Sequence, residues 1–204
     1  MKLESIKPIP AKAIRVSLDK PVVVSMADPA ERTWGYWQFP TISRMPGGEI
    51  LLTVNNNQDD DLCYGHAAPA WLSHDDGQSW HPVDLDEKGL TITHSPIAEL
   101  LGNGVLASSY GRPGVDLSFS PDGSGDQWTQ PIQLLPSGIP KGRKWTWEKI
   151  LEADPHNADL QTDGYTSIVP LASNSFLIAY CDMAHVDGRG RKRKGVKVRR
   201  VACE

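Results

Sequence analysis

The chain has 204 residues, enough for one sizeable domain or two small ones. Its apolar content of 39%, with 18 Gly and 16 Pro, suits many short strands better than long helices. The net charge of -4 gives no nucleic-acid signal, and no run is long enough to cross a membrane.

Cys63, Cys181 and Cys203 are odd in number and lack metal-ligand spacing. They read as reduced thiols of a cytoplasmic protein or as incidental ones, and neither metal nor cofactor is expected. Residues 1–10 carry Lys2 and Lys7 but no apolar segment, so they do not read as a signal peptide. The localisation expected by default is cytoplasmic.

Residues 1–12 read as a loose leader. Ile14 to Leu18 alternates apolar and polar side chains, as a half-buried strand does, and Val22 to Val24 reads as a second, more buried strand. Tyr36 to Ile42 and Ile50 to Val54 flank Pro46-Gly47-Gly48, a hairpin signal. Ala68 to Leu72 leads into Ser73-His74-Asp75-Asp76-Gly77-Gln78-Ser79-Trp80, and Trp80 to Val83 completes an outer hairpin. Residues 34–85 thus form one four-strand unit.

A second unit spans 91–135. Its inner pair is Pro96 to Leu101 and Val105 to Tyr110, its outer pair Val115 to Phe119 and Trp128 to Leu134. A third spans 163–201, with strands at Tyr165 to Leu171, Phe176 to Tyr180 and Val196 to Val201. Residues 136–162 form an insertion between them. A period of roughly 40 to 50 residues with four strands each is the pattern of propeller blades.

In Ser73 to Trp80, short polar side chains can bond the local backbone, and Gly77 can take a left-handed conformation at little steric cost. A looser copy runs from Ser118 to Trp128. The pattern Ser73, Asp75, Gly77, Trp80 resembles the Asp-box of the sialidase-like (BNR repeat) β-propeller family. The resemblance covers roughly residues 34 to 201. It implies an all-β fold of four-stranded antiparallel blades, with residues 1–204 as a single domain or fragment. Three blades are too few for the usual closed ring. The chain is then a piece of a longer protein, has lost internal blades, or closes by association, since open blade edges invite pairing.

The same resemblance implies site residues. In that family the Asp-box is a structural turn, and the chemistry belongs to an arginine triad that clamps a sugar carboxylate, a Tyr nucleophile paired with Glu, and an acid/base Asp. A guanidinium grips carboxylate with two parallel hydrogen bonds. A neutral Tyr avoids repulsion between nucleophile and substrate carboxylate. Gly164-Tyr165-Thr166-Ser167 matches the final-blade motif and makes Tyr165 the candidate nucleophile. The competing reading is an aromatic packed at a strand start. Tyr110-Gly111-Arg112-Pro113-Gly114 makes Arg112 the candidate arginine, against a solvated loop residue. Asp59, Asp60 and Asp61 are candidates for the acid/base, against a solvated acidic run or a cation site.

Three departures weaken sialic acid hydrolysis. Gln38 stands where the first clamp arginine is expected. His94 and Ser95 stand where a Glu is expected. Arg143 is the one option for the third arginine, in a context that does not match. His66 and His94 lie near loops and suit an acid, base or ligand role, against a structural one.

Gly188 to Gly195 is strongly basic and reads either as a polyanion-binding patch or as a solvated hairpin tip. The expectation is a carbohydrate-active protein resembling exo-sialidases, hydrolysing an acidic or other terminal sugar. The alternative is a non-catalytic propeller that binds glycan or protein. The partner expected is a carbohydrate, with no nucleic acid.

Overall fold

A computed structural model describes residues 14–31, 35–55, 69–84, 98–111, 114–136 and 165–204. These residues form antiparallel strands in three sheets and contain no helix.

The first sheet is a meander in chain order: Gln38–Arg44, Ile50–Asn55, Ala70–Ser73 and His81–Val83. Counting from the N-terminus, where β1 (Val16–Leu18) and β2 (Val22–Met26) come first, these are β3 to β6. The second sheet is β7 (Ala98–Leu100), β8 (Leu106–Gly111), β9 (Val115–Ser120) and β10 (Ile132–Leu135), again in chain order. The third contains β11 (Thr166–Ala172), β12 (Ser175–Val186) and β13 (Lys192–Cys203).

The third sheet is completed from the other end of the chain. β1 pairs with β13, Val16 opposite Cys203, and β2 pairs with β13 further along, Ser25 opposite Val196. Both N-terminal strands thus find partners that local sequence could not name.

The third sheet lies between the other two, and the period-2 alternation of its strands sorts its side chains. Ile168, Phe176, Ile178, Tyr180, Val201 and Cys203 join the core shared with the second sheet. Val169, Leu177, Ala179, Cys181, Val196 and Val198 join the core shared with the first. Phe176, Ile178 and Leu177 are almost completely buried, and each such side chain contributes about 1.5–3 kcal/mol.

Several strand boundaries differ from the sequence expectation, most of all in β3, β10, β12 and β13. β3 starts at Gln38 rather than Tyr36, because Trp37 has φ 55° and breaks the extended run. β10 starts at Ile132 rather than Trp128, after Pro131, which has no N–H to donate to a ladder. β12 and β13 run well beyond the predicted segments, so most of the basic stretch lies within or beside a long hairpin. Its tip is closed by Asp187, whose carboxylate accepts the N–H groups of Arg189 and Arg191 and pairs with the Arg191 guanidinium.

Ser73 to Trp80 forms a dense polar turn. Ser73 Oγ accepts the Gly77 N–H at 2.8 Å and donates to Asp75. Asp75 accepts the N–H groups of Gln78 and Ser79 and the Ser79 hydroxyl. Trp80 Nε1 donates to the Gly77 carbonyl. Gly77 has φ +86°, and a Cβ there would stand 2.6 Å from Leu177 Cδ1, so the turn docks against the third sheet only with glycine. The looser copy repeats the plan one residue longer: Ser120 Oγ accepts the Gly125 N–H, and Trp128 Nε1 donates to the Gly125 carbonyl.

Candidate functional site

The strands share a polarity that separates two ends of the molecule. The polar turns and the short hairpins gather at one end. There Asn103 N–H donates to Ser173 O, Gly77 abuts Leu177, and Arg44 reaches Pro170 O. Tyr165, at the start of β11, lies at the other.

That opposite end is organised by β11. Thr166 Oγ1 and Ser109 Oγ lie 2.5 Å apart and tie β11 to β8. Ser167 Oγ accepts the Ile42 N–H at 3.1 Å and ties β11 to β3. The alternation of a strand sends these two neighbouring hydroxyls to opposite faces. Tyr165 stands just beyond them, 55% exposed, with its ring edge-on to Phe39 at a centroid distance of 4.9 Å and an interplanar angle of 86°.

Phe39 belongs to a strained entry into β3. Gly35, Trp37 and Phe39 have φ of 95°, 55° and 54°. Each non-glycine residue in that region costs about 1–3 kcal/mol and persists only where its surroundings hold it. Here several bonds do so. Trp37 N–H donates to Asn55 O, Trp37 Nε1 donates to Ser25 Oγ, and Cys181 Sγ donates to Trp37 O. The buried Lys194 donates its ammonium to Tyr36 O at 3.1 Å.

Gln38 is fully buried inside this entry. Its Oε1 accepts the Gly35 N–H at 2.5 Å, and its Nε2 points at Met183 Sδ, 3.7 Å away. The amide is engaged by the protein itself and faces no solvent. A neutral amide meets those demands where a guanidinium would bring an uncompensated charge into the core.

On the other face of β12 and β13, where Lys197 lies opposite Tyr180, Asp182 and Lys197 form an ion pair at 2.5 Å with side chains 9% and 14% exposed. His185 follows on β12. Burial first, and then the Lys197 charge, holds its imidazole below its ordinary value. Burial pushes up the phenol of Tyr180, which faces the second sheet.

Asp59, Asp60, Asp61 and His66 lie outside the described residues, in the segment between β4 and β5. His94 and Arg143 lie outside them as well, and so does Arg112, between Gly111 and Gly114. Of the predicted site residues, Tyr165 and Gln38 are described, and Phe39 brings their two segments together. The bordering strand ends are described too. Asn55 lies opposite Gln38, and Gly111 lies two residues beyond the Ser109–Thr166 contact, so both border the Tyr165 end.

The sequence reading missed Phe39, Met183, and the Asp182–Lys197 pair. Phe39 was in view within Trp37-Gln38-Phe39-Pro40, but nothing local marks the ring as a partner for Tyr165. The ion pair was within reach: pairing outward from the turn at Asp187 to Arg191 brings Lys197 opposite Tyr180, close to Asp182. Cys181 and Cys203 are buried thiols, and burial raises the Cys203 thiol to about 11. Cys63 lies outside the described residues. Among the described residues, no group of three or more His, Cys, Asp or Glu is arranged to hold a metal ion.

No family model matches the chain, and no curated protein matches it. Among solved structures, an alpha-L-arabinanase from Penicillium chrysogenum complexed with arabinobiose is similar over 81% of this chain, at 17% identity and a TM-score of 0.26. The similar region covers 46% of that chain, so this protein spans about half of its length.

Proposed function

We propose that the Tyr165 end of the molecule is a carbohydrate site and that the protein is a glycoside hydrolase of the sialidase-like kind, acting on a terminal sugar. The observation that carries this reading is the exposed Tyr165 phenol, fixed edge-on to Phe39 at a strained strand entry. The strand ends that border the segments holding Arg112 and Asp59 to Asp61 support it, because they lie at the same end as Tyr165.

In this mechanism the Tyr165 oxygen attacks the anomeric carbon while its proton passes to a base, for which His66 and His94 are the candidates, and returns when the phenol is released. The glycosidic bond breaks, and one of Asp59, Asp60 and Asp61 protonates the departing oxygen. Water then attacks the glycosyl–tyrosine bond, gives its proton to the same Asp, and regenerates the phenol. Arg112 binds an acidic group of the sugar. His66 and His94 are further candidates for contact with it. Buried Gln38 contributes by holding the strand entry rather than by clamping a carboxylate, which favours a sugar other than sialic acid.

The buried Gln38 also favours a second reading, a propeller-type protein that binds glycan without hydrolysing it. Turnover of a panel of aryl glycosides, acidic sugars included, separates the two. Hydrolysis is expected from the wild type and lost in Tyr165→Phe. A wild type inert on every substrate leaves the binding reading. Turnover undiminished in Tyr165→Phe removes the phenol from the mechanism.

A further inference from the structure

The outward face of the second sheet differs in chemistry from its inward face. Its inward face is apolar: Ala107, Leu117 and Phe119 are fully buried against the third sheet. Its outward face carries Ser108, Tyr110, Asp116 and Ser118, because Ser108 lies opposite Ser118 and Tyr110 opposite Asp116. Such a face is a poor seat for another sheet.

An open groove of about 260 Å³ lies there, lined by Ser108, Tyr110, Ser118, Trp128, Thr129 and Pro131. Tyr110 and Trp128 are 43% and 41% exposed. Both rings are held in place. Tyr110 Oη and Ser118 Oγ are hydrogen-bonded at 2.9 Å, and Trp128 Nε1 donates to Gly125 O at 2.8 Å. The indole N–H is therefore occupied, and what Trp128 offers to a ligand is its ring.

Trp80 gives the contrast. Its Nε1 makes the same bond to a glycine carbonyl, yet its ring packs on the core beside the first sheet. The second turn holds its Trp in the same way but presents it to solvent. Rings immobilised before binding lose little freedom when a ligand arrives.

Fixed aromatic rings bordered by hydroxyls suit a ligand with apolar C–H faces and a polar rim. Ser108, Ser118 and Thr129 supply the hydroxyls. The volume lies just below the range of about 300–1,000 Å³ usual for small-molecule pockets, which limits the occupant to a ring or two. Asp116 on the same face argues against an anionic occupant. Burial raises its carboxyl, as expected on a face where charge is poorly solvated.

We propose that this groove binds a neutral sugar ring, stacked on Trp128 and Tyr110, at a site separate from Tyr165. Ser109 faces Thr166, whereas Ser108 and Tyr110 face the other way, so the sheet itself divides the two sites.

Titration calorimetry with cellobiose, lactose and N,N′-diacetylchitobiose tests this. The wild type is expected to bind at least one of them with a millimolar Kd. Trp128→Ala weakens that binding about tenfold or more, equivalent to about 1.4 kcal/mol. Trp128→Phe keeps a ring and retains most of it. Ser108→Gln fills the groove without touching either ring's anchor, and abolishes binding at unchanged thermal stability. Tyr165→Phe leaves the affinity as it is, so failure here and failure of the hydrolase reading are separate results. The proposal is overturned if the wild type binds none of the three sugars, or if Ser108→Gln and Trp128→Ala both bind as the wild type does. Concentration-dependent dimerisation abolished by Ser108→Gln would also overturn it, by showing that a second copy occupies the groove.

Discussion

The rings of Phe39 and Tyr165 meet edge to face at 4.9 Å, and they join a strained entry of β3 to the first residue before β11. Such a contact adds about 0.5–1.5 kcal/mol beyond its buried area. Phe39→Leu is therefore expected to lower stability modestly and to loosen the Tyr165 phenol. In the hydrolase reading it reduces kcat more than KM, because the nucleophile is misplaced while sugar contacts persist. Steady-state kinetics beside urea unfolding check this; a KM effect alone would count against a positioning role.

Gly77 and Gly48 both have positive φ, at +86° and +96°. They differ in surroundings: a Cβ at Gly77 meets Leu177, whereas nothing lies within 4 Å of one at Gly48. Gly48→Ala is expected to cost about 1–2 kcal/mol from the left-handed backbone alone. Gly77→Ala carries that cost and a clash with Leu177, for a total of roughly 2–5 kcal/mol. Equal losses in the two variants, measured by denaturant unfolding, would show that the turn does not press on the third sheet.

Asp75 is held at about 2, below its ordinary 3.8, chiefly by the Ser79 hydroxyl and the Ser79 N–H, with Ser73 and Gln78 adding to them. A carboxyl lowered in the folded state contributes stability that is complete above its unfolded value and lost as pH falls through its folded one. The loss is thus expected between about pH 4 and pH 2. Asp75→Asn should flatten the stability profile in that window and lower stability above it. An unaltered acid limb in Asp75→Asn would assign the acid sensitivity elsewhere, with Asp187, also at about 2, the next group to substitute.

Asp182 and Lys197 are paired at 2.5 Å with little exposure, whereas Arg44 and Asp76 are paired at 3.4 Å with side chains 35% and 58% exposed. Removing one partner of a buried pair strands a charge, so Lys197→Met is expected to destabilise by about 3–5 kcal/mol. Adding Asp182→Leu should recover much of that loss. Asp76→Asn, which tolerates the φ of 54° there, should change stability by less than about 1 kcal/mol. A double variant no better than Lys197→Met would mean that the site needs its ions for more than mutual compensation.

Much of the β architecture was legible locally. Pro46-Gly47-Gly48, Gly102-Asn103-Gly104 and Ser173-Asn174 each stand between apolar runs, and each turns a hairpin. Ser73 to Trp80 was legible for the same reason: the bonds among Ser73, Asp75, Gly77, Gln78, Ser79 and Trp80 span no more than four residues along the chain. The candidate site was legible only as isolated residues. Tyr165 could be singled out, but its neighbour Phe39 and the burial of Gln38 depend on contacts between segments far apart in the chain.

The sequence by itself determined the antiparallel hairpins and the left-handed glycine of the polar turn. These follow from turn chemistry and from an alternation that each strand carries alone. Tertiary structure alone decided that β1 and β2 complete the last sheet, that this sheet lies between the other two, and that Trp80 is packed while Trp128 is exposed. Those outcomes depend on which apolar faces meet. An alternating strand specifies that one face is to be buried, but not against what.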